Sequence, residues 1–151
     1  MGEGYQFVVT GARELRRHLR LLATAAANRV ARRAVNMALT PVAKAAKRKA
    51  PVETGLLKKS IGKKVKVYRR SEMVWGGVGP RKGFKGTGPD GKPRNPLMYA
   101  HLVELGTKAA RKHAPTAAKP FLRPALDEQR ATVMAILRQE IMAGIDKELM
   151  R

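Results

Sequence analysis

The side chains with chemical potential gather in the C-terminal half, at His101, Glu104 and His113. Two histidines and one carboxylate could begin a metal site, but this scatter matches no common ligand spacing. His101 reads instead as a surface or interface residue. Glu104 is flanked by Leu102, Val103 and Leu105. A carboxylate in that company is either buried and paired or held at an interface. Its expected partner is one of the many arginines, within or between subunits. Ser60 and Ser71 are the only serines, and neither lies in a nucleophile elbow. The glycine-rich stretch Gly83–Gly91 invites a phosphate-binding reading. Gly86-Thr87-Gly88 lacks the GxxxxGK[ST] spacing and the strand-to-helix context that a P-loop needs. With no cysteine, disulfides and thiolate metal sites are excluded. The sequence predicts no catalytic, cofactor or metal site, and the search turns from enzymes toward assembly.

Charge supplies the next clue. The formal net charge is +21, from 32 Lys+Arg against 11 Asp+Glu. Self-repulsion at that charge favours an acidic partner: nucleic acid first, then an anionic membrane surface or an acidic protein ring. Residues 127–151 hold five acids and four bases, so the field belongs to residues 1–126. Residues 15–52 contain no acid at all. A solvated face is the ordinary fate of such a run, but a surface facing phosphate explains its one-sidedness better. No RNA-recognition aromatic pattern or zinc-finger spacing appears, so nonspecific contact is expected. No apolar run approaches the roughly 18 residues of a spanning helix. The N-terminus lacks the basic-then-apolar order of a secretory signal, and an intracellular product is expected.

Elements must position these residues. The length suits a single domain, 1–151, with one modest core. Residues 1–10 carry Phe7-Val8-Val9, readable as a strand, a docking arm or a partly ordered terminus. Residues 11–49 read as helix, with Leu15, Leu19, Leu22, Ala26, Val30, Ala34 and Met37 on one stripe. Pro41 either kinks this helix or starts a second one capped by Thr40. Pro51 ends it. Residues 63–70 alternate as a half-buried strand with Val65 and Val67 on one face. Residues 72–79 suit a second strand, which puts a turn at Arg69–Ser71. Residues 80–96 lose all periodicity and read as an extended basic loop, mobile in isolation. Tyr99–Leu105 fits a short helix or a strand, and Gly106-Thr107 ends it. Residues 108–119 form a second basic loop. Pro124 falls in the first turn of a helix to about Leu149, striped by Val133, Leu137, Ile141, Ile145 and Leu149.

Three stretches, Ala50–Ile61, Tyr99–Thr107 and Pro120–Leu126, together resemble one family. It is the head–tail joining, neck or tail-completion family of long-tailed bacteriophages, to which the minor tail protein Z of phage lambda is related. The matching residues are Lys49-Ala50-Pro51, Glu53-Thr54-Gly55, Leu57 and Ser60-Ile61. They continue with Tyr99, then Val103, Glu104, Gly106 and Thr107, and close with Pro120, Phe121, Leu122, Arg123, Pro124 and Ala125. The likeness spans roughly residues 30–130. It departs at Leu105, where an aromatic is more common, so packing there is expected to be looser. It offers nothing for the 80–96 loop.

The resemblance implies an α+β fold: an N-terminal basic helix, a small mostly antiparallel sheet with long loops, and a C-terminal helix. It implies no enzymatic activity and no cofactor. It also implies a homo-oligomeric ring, a hexamer, between head-closure or connector proteins and tail-terminator or tail-tube proteins. Genomic DNA would pass nonspecifically through its lumen. The chain would sit at the virion's head–tail junction after assembly in the host cytoplasm, with no membrane partner. Glu53 and Glu104 would place the turn and the loop against basic partners. Arg81, Lys82 and Lys85 in the first loop, and Lys108, Arg111 and Lys112 in the second, become candidate DNA or partner contacts. The alternative is a free nonspecific nucleic-acid-binding protein, nucleoid- or ribosome-associated. A membrane-surface helix ranks last, because the stripe of residues 11–40 is narrow and alanine-rich.

Overall fold

The computed structural model describes residues 20, 24–53, 55–68, 73–108 and 114–150. The expected N-terminal arm, the start of the first helix, the Arg69–Ser71 turn, Thr54, Arg111, Lys112 and His113 lie outside those residues. The architecture is the expected α+β. Helix α1 (Thr24–Lys49) is followed by a short α2 (Leu56–Ser60) and the strands β1 (Ile61–Tyr68) and β2 (Met73–Pro80). Then come β3 (Gly86–Thr87), β4 (Pro93–Arg94), α3 (Pro96–Leu105) and α4 (Leu122–Leu149). β1 pairs with β2 in one two-stranded sheet and β3 with β4 in another.

Pro41 lies inside a continuous α1, so no second helix starts there. Thr40 is itself helical, and its hydroxyl donates back to the Asn36 carbonyl (3.4 Å) instead of capping a new helix. Proline has no N–H for the helical ladder. Just before it, Lys63 Nζ donates to the Asn36 carbonyl (3.0 Å) and to Thr40 Oγ1 (2.9 Å). This lysine stands among the strand's apparent surface charges, yet it ties β1 to α1.

Residues 80–96 are more organised than their lost periodicity implies. Gly86 pairs with Arg94 and Thr87 with Pro93, antiparallel. Gly88-Pro89-Asp90-Gly91 makes the turn: the Gly91 N–H donates to the Gly88 carbonyl (3.0 Å) and the Gly88 N–H to the Lys92 carbonyl (2.9 Å). Proline presets the first central φ of the turn, and Gly91 follows in the left-handed region at φ 73°. The Tyr99–Leu105 ambiguity resolves as helix. Asn95 caps α3 by accepting from the Leu97 N–H (3.1 Å), and Pro96 takes the first turn, where a missing N–H costs nothing.

The chain's contacts form two compact units. The first comprises the described residues within 1–41, 63–77 and 129–151. Its core joins Ala34 and Ala38 of α1 to Leu137, Ile141 and Ile145 of α4, the stripe expected from the sequence. Alanine on one helix lets the larger side chains of the other approach closely, which suits a chain with only 5% aromatics. Arg29 pairs with Glu148 (3.0 Å) and Arg33 with Glu140 (3.3 Å) across the same two helices. The acid-free N-terminal run is thus met by carboxylates from α4.

The second unit comprises the described residues within 42–62 and 78–128. Its core gathers Ala45, Ala46, Ala50, Leu57, Ile61, Ala100, Phe121 and Ala125. Phe121 and Ala125 are fully buried. Residues from all three family-like stretches therefore share one core. Here Arg48 and Lys49 both reach Glu128, each at 2.9 Å.

Candidate assembly site

The second unit is organised around Glu104. It lies on α3, and its side chain is buried. Its Oε2 accepts from the backbone N–H groups of Phe121 (2.8 Å) and Leu122 (3.0 Å), and its Oε1 from that of Arg123 (3.0 Å). These are unpaired donors at the start of α4. The carboxylate supplies what an N-cap side chain would supply and also meets the positive end of the helix dipole. The expected arginine partner is therefore replaced by a helix terminus. Apolar neighbours in sequence announce burial, but they carry no sign that the counter-charge will be backbone.

Three further contacts fix the same corner. The Lys119 N–H donates to the Val103 carbonyl (2.8 Å). Thr107 and Thr116 exchange backbone hydrogen bonds (2.9 and 3.1 Å) across an isolated antiparallel bridge. Gly106 ends α3 with φ 74° and ψ 177°, a conformation essentially reserved for glycine. A Cβ at Gly106 would also lie 2.7 Å from the Thr116 carbonyl oxygen. The basic loop after α3 is thus closed at its base, with Pro120 exposed and Phe121 sealed in the core.

Beside this corner is a shallow cleft of about 160 Å³. Pro51, Glu53, Gly55 and Leu57 line it from the first family-like stretch, and Tyr99 and Val103 from the second. Arg94 and Lys119 supply cations. Gly55 adopts φ 69° as the residue before α2, as the expected turn requires. Burial pushes the Tyr99 hydroxyl above its ordinary value of 10.0; Arg94 opposes that shift and Glu53 adds to it.

The candidate contacts fall into different environments. Arg81 is committed internally: its side chain donates to the carbonyls of Lys59 (3.1 Å) and Ser60 (3.4 Å) at the end of α2. Its guanidinium also lies 5.3 Å from the centre of the Phe84 ring. Lys82, Lys85 and Lys108 are exposed. Arg123 is exposed while its N–H serves Glu104.

α3 itself has two unlike faces. Pro96, Ala100 and Glu104 are buried, with Tyr99 and Val103 partly so. Leu97, Met98, His101, Leu102 and Leu105 are exposed. At about 100° per residue those five fall within an arc of roughly 140°. Met98 and Leu105 are each 68% exposed. His101 and Glu104, about 60° apart around the helix, therefore differ in environment: the first is exposed and the second is buried. Among the described residues, no group of three or more His, Asp or Glu side chains could hold a metal ion. Among the same residues, no helix is long and apolar enough to cross a membrane.

Searches of curated proteins and of solved structures give no match. One family model matches residues 13–106, more than half of the chain. It carries the description "Bacteriophage HK97-gp10, putative tail-component". The match takes in the first family-like stretch and all of the second but Thr107, and Glu104 ties the third to them through the start of α4. The chain belongs to the HK97-gp10-like family of bacteriophage tail components.

Proposed function

We propose that this chain is a non-enzymatic structural protein of the phage neck or tail end. Its copies form a closed ring, hexameric by the family resemblance, that joins the head connector to the tail tube and lets DNA pass. The observation that carries this reading is the division of α3. Its inner face is anchored by Glu104. Its outer face offers Leu97, Met98, Leu102 and Leu105 to solvent. A contiguous apolar face on so charged a chain fits a surface that becomes covered on assembly. Asn95–Thr107 is also the longest stretch of the sequence without lysine or arginine. Copies of a chain carrying +21 can approach most easily through such a stretch.

Deleting the gene tests the role: heads and tails should accumulate unjoined or with unstable joints. Infectious particles of normal yield that lack the chain would end the proposal. A second reading, a free nonspecific nucleic-acid-binding protein, draws on the exposed lysines of β1. It predicts host nucleic acid bound by the chain in cells and no copies in purified particles.

A further inference from the structure

Pairing removes many cations from consideration as ligands for a partner, and what remains on one sheet face has a defined composition. Arg29, Arg33, Arg48 and Lys49 meet carboxylates of α4. Arg81 is held by backbone carbonyls and Lys63 by α1. Within β1, the reach of Lys63 to α1 shows which side of the strand faces that helix. Side chains alternate along a strand, so Lys63, Val65 and Val67 share the inner side and Lys64, Lys66 and Tyr68 the outer. The exposure pattern agrees: Lys64, Lys66 and Tyr68 are exposed, while Val65 and Val67 are half-buried.

The same division holds on β2. A Cβ on Gly76 would run into Val35 and Leu39 of α1, so Gly76 faces inward with Val74. Met73 and Trp75 therefore face outward, beside the β1 lysines. The Trp75 indole lies over Gly77, where a Cβ would come within 2.6 Å of the ring. Glycine at 77 leaves the room that the ring occupies. The outer face of the β1–β2 hairpin thus carries Lys64, Lys66, Tyr68, Met73 and Trp75. Neither lysine has a hydrogen-bonding or carboxylate partner among the described residues. The described residues of the two strands contain no Asp or Glu.

We propose that this outer hairpin face is a nucleic-acid contact surface. Lys64 and Lys66 would neutralise phosphates, and Tyr68 and Trp75 would pack against sugars and bases. Unpaired cations interleaved with aromatic rings are the composition that binds a nucleic-acid strand without reading its sequence. Among the described residues no arginine, asparagine or glutamine stands on this face to make a bidentate base contact, so binding is nonspecific. An acidic protein would use the lysines but leave the two rings without a role. The proposal deepens the DNA-passage reading and rests on that part of it alone. Tail placement is judged separately, from particles.

Trp75 is the only tryptophan of the chain, so its emission reports on this face directly. Purified full-length chain is titrated with duplex and single-stranded oligonucleotides of equal length, while labelled DNA reports binding by anisotropy. The expected result is a change in Trp75 emission that tracks binding and reverses with added salt. The Lys64→Gln/Lys66→Gln variant should bind at least tenfold more weakly at low salt. Its salt slope on duplex should fall by about 1.8, two phosphate contacts at about 0.9 each. Its thermal midpoint serves as the folding control and should not move. DNA binding with unchanged Trp75 emission would overturn the proposal, as would a variant that binds like the parent, or no binding at low salt. An equal emission change with poly-glutamate at matched charge would assign the face to an acidic protein instead.

Discussion

Glu104 has three donors for one carboxylate, whereas Lys64 and Lys66 have no acceptor among the described residues for two ammonium groups. The first sits in a core, the second pair on an open sheet face. The contrast teaches where a strongly basic chain invests its few acids. Asp90, Glu104, Glu128, Glu140 and Glu148 are all engaged within the fold. They cap a helix, steady a turn and stitch α1 to α4, while cations elsewhere stay available. Net charge read from composition therefore overstates some surfaces and understates others. α1 carries a dense basic run, but much of it is answered by α4. Strand β1 commits Lys63 to α1 and leaves Lys64 and Lys66 on its outer side.

The sharpest way to break this comparison is Glu104→Ala. Hydrogen bonds to a charged group contribute about 1.5–3 kcal/mol each and are not additive within one cluster. We expect a loss of about 3 kcal/mol in chemical denaturation, because two segments far apart in sequence lose their link. A loss below about 1 kcal/mol, the typical cost of a single cap, would mean that water replaces the carboxylate and that α4 does not depend on it. Gly106→Ala comes next, at about 2 kcal/mol, from a side chain forced into a glycine-only conformation. Its Cβ also meets the Thr116 carbonyl, so the Thr107–Thr116 bridge should show faster amide exchange.

The surface charges should behave differently. Glu148→Gln removes an exposed pair with Arg29 and should cost less than about 1 kcal/mol, a difference that high salt erases. Lys64→Gln/Lys66→Gln should leave stability within about 0.5 kcal/mol while nucleic-acid binding falls. A large stability loss there would show that the lysines belong to the fold after all.

The smallest effect concerns Tyr99. Burial raises its hydroxyl above 10.0, so the folded chain keeps that proton longer than the unfolded chain does. The stability this contributes is full below pH 10.0 and is lost as pH rises through the raised value. Tyr99→Phe should flatten that part of an alkaline stability profile.

Legibility in the sequence tracked the range of the contact. The α4 stripe from Val133 to Ile145, the β1 alternation, the Pro51 stop and the Gly106 ending are local patterns that the structure keeps, whereas Leu149, at the end of the expected stripe, is 67% exposed. The 88–91 turn and the Asn95-Pro96 cap were also written locally, as Gly-Pro-Asp-Gly and as a capping residue before proline. Loss of periodicity masked both. The Glu104 cradle was not legible, because its partners are backbone amides 17 to 19 residues away and amides have no sequence signature. The same holds for Lys63. Alternation places it on the inner face of β1, and only the position of α1 shows that it reaches the Asn36 carbonyl. The composition of the outer hairpin face needed both strands and α1 together, since Gly76 assigns the sides of β2 only through Val35 and Leu39.

Cryo-electron microscopy of intact particles tests the central claim most directly. The account predicts copies of this chain in a closed ring where head meets tail, with the outer faces of α3 covered by protein and Lys64 and Lys66 facing the DNA channel. Particles without density for the chain at that junction would contradict it, as would a ring whose lysines point outward and whose α3 faces stay in solvent.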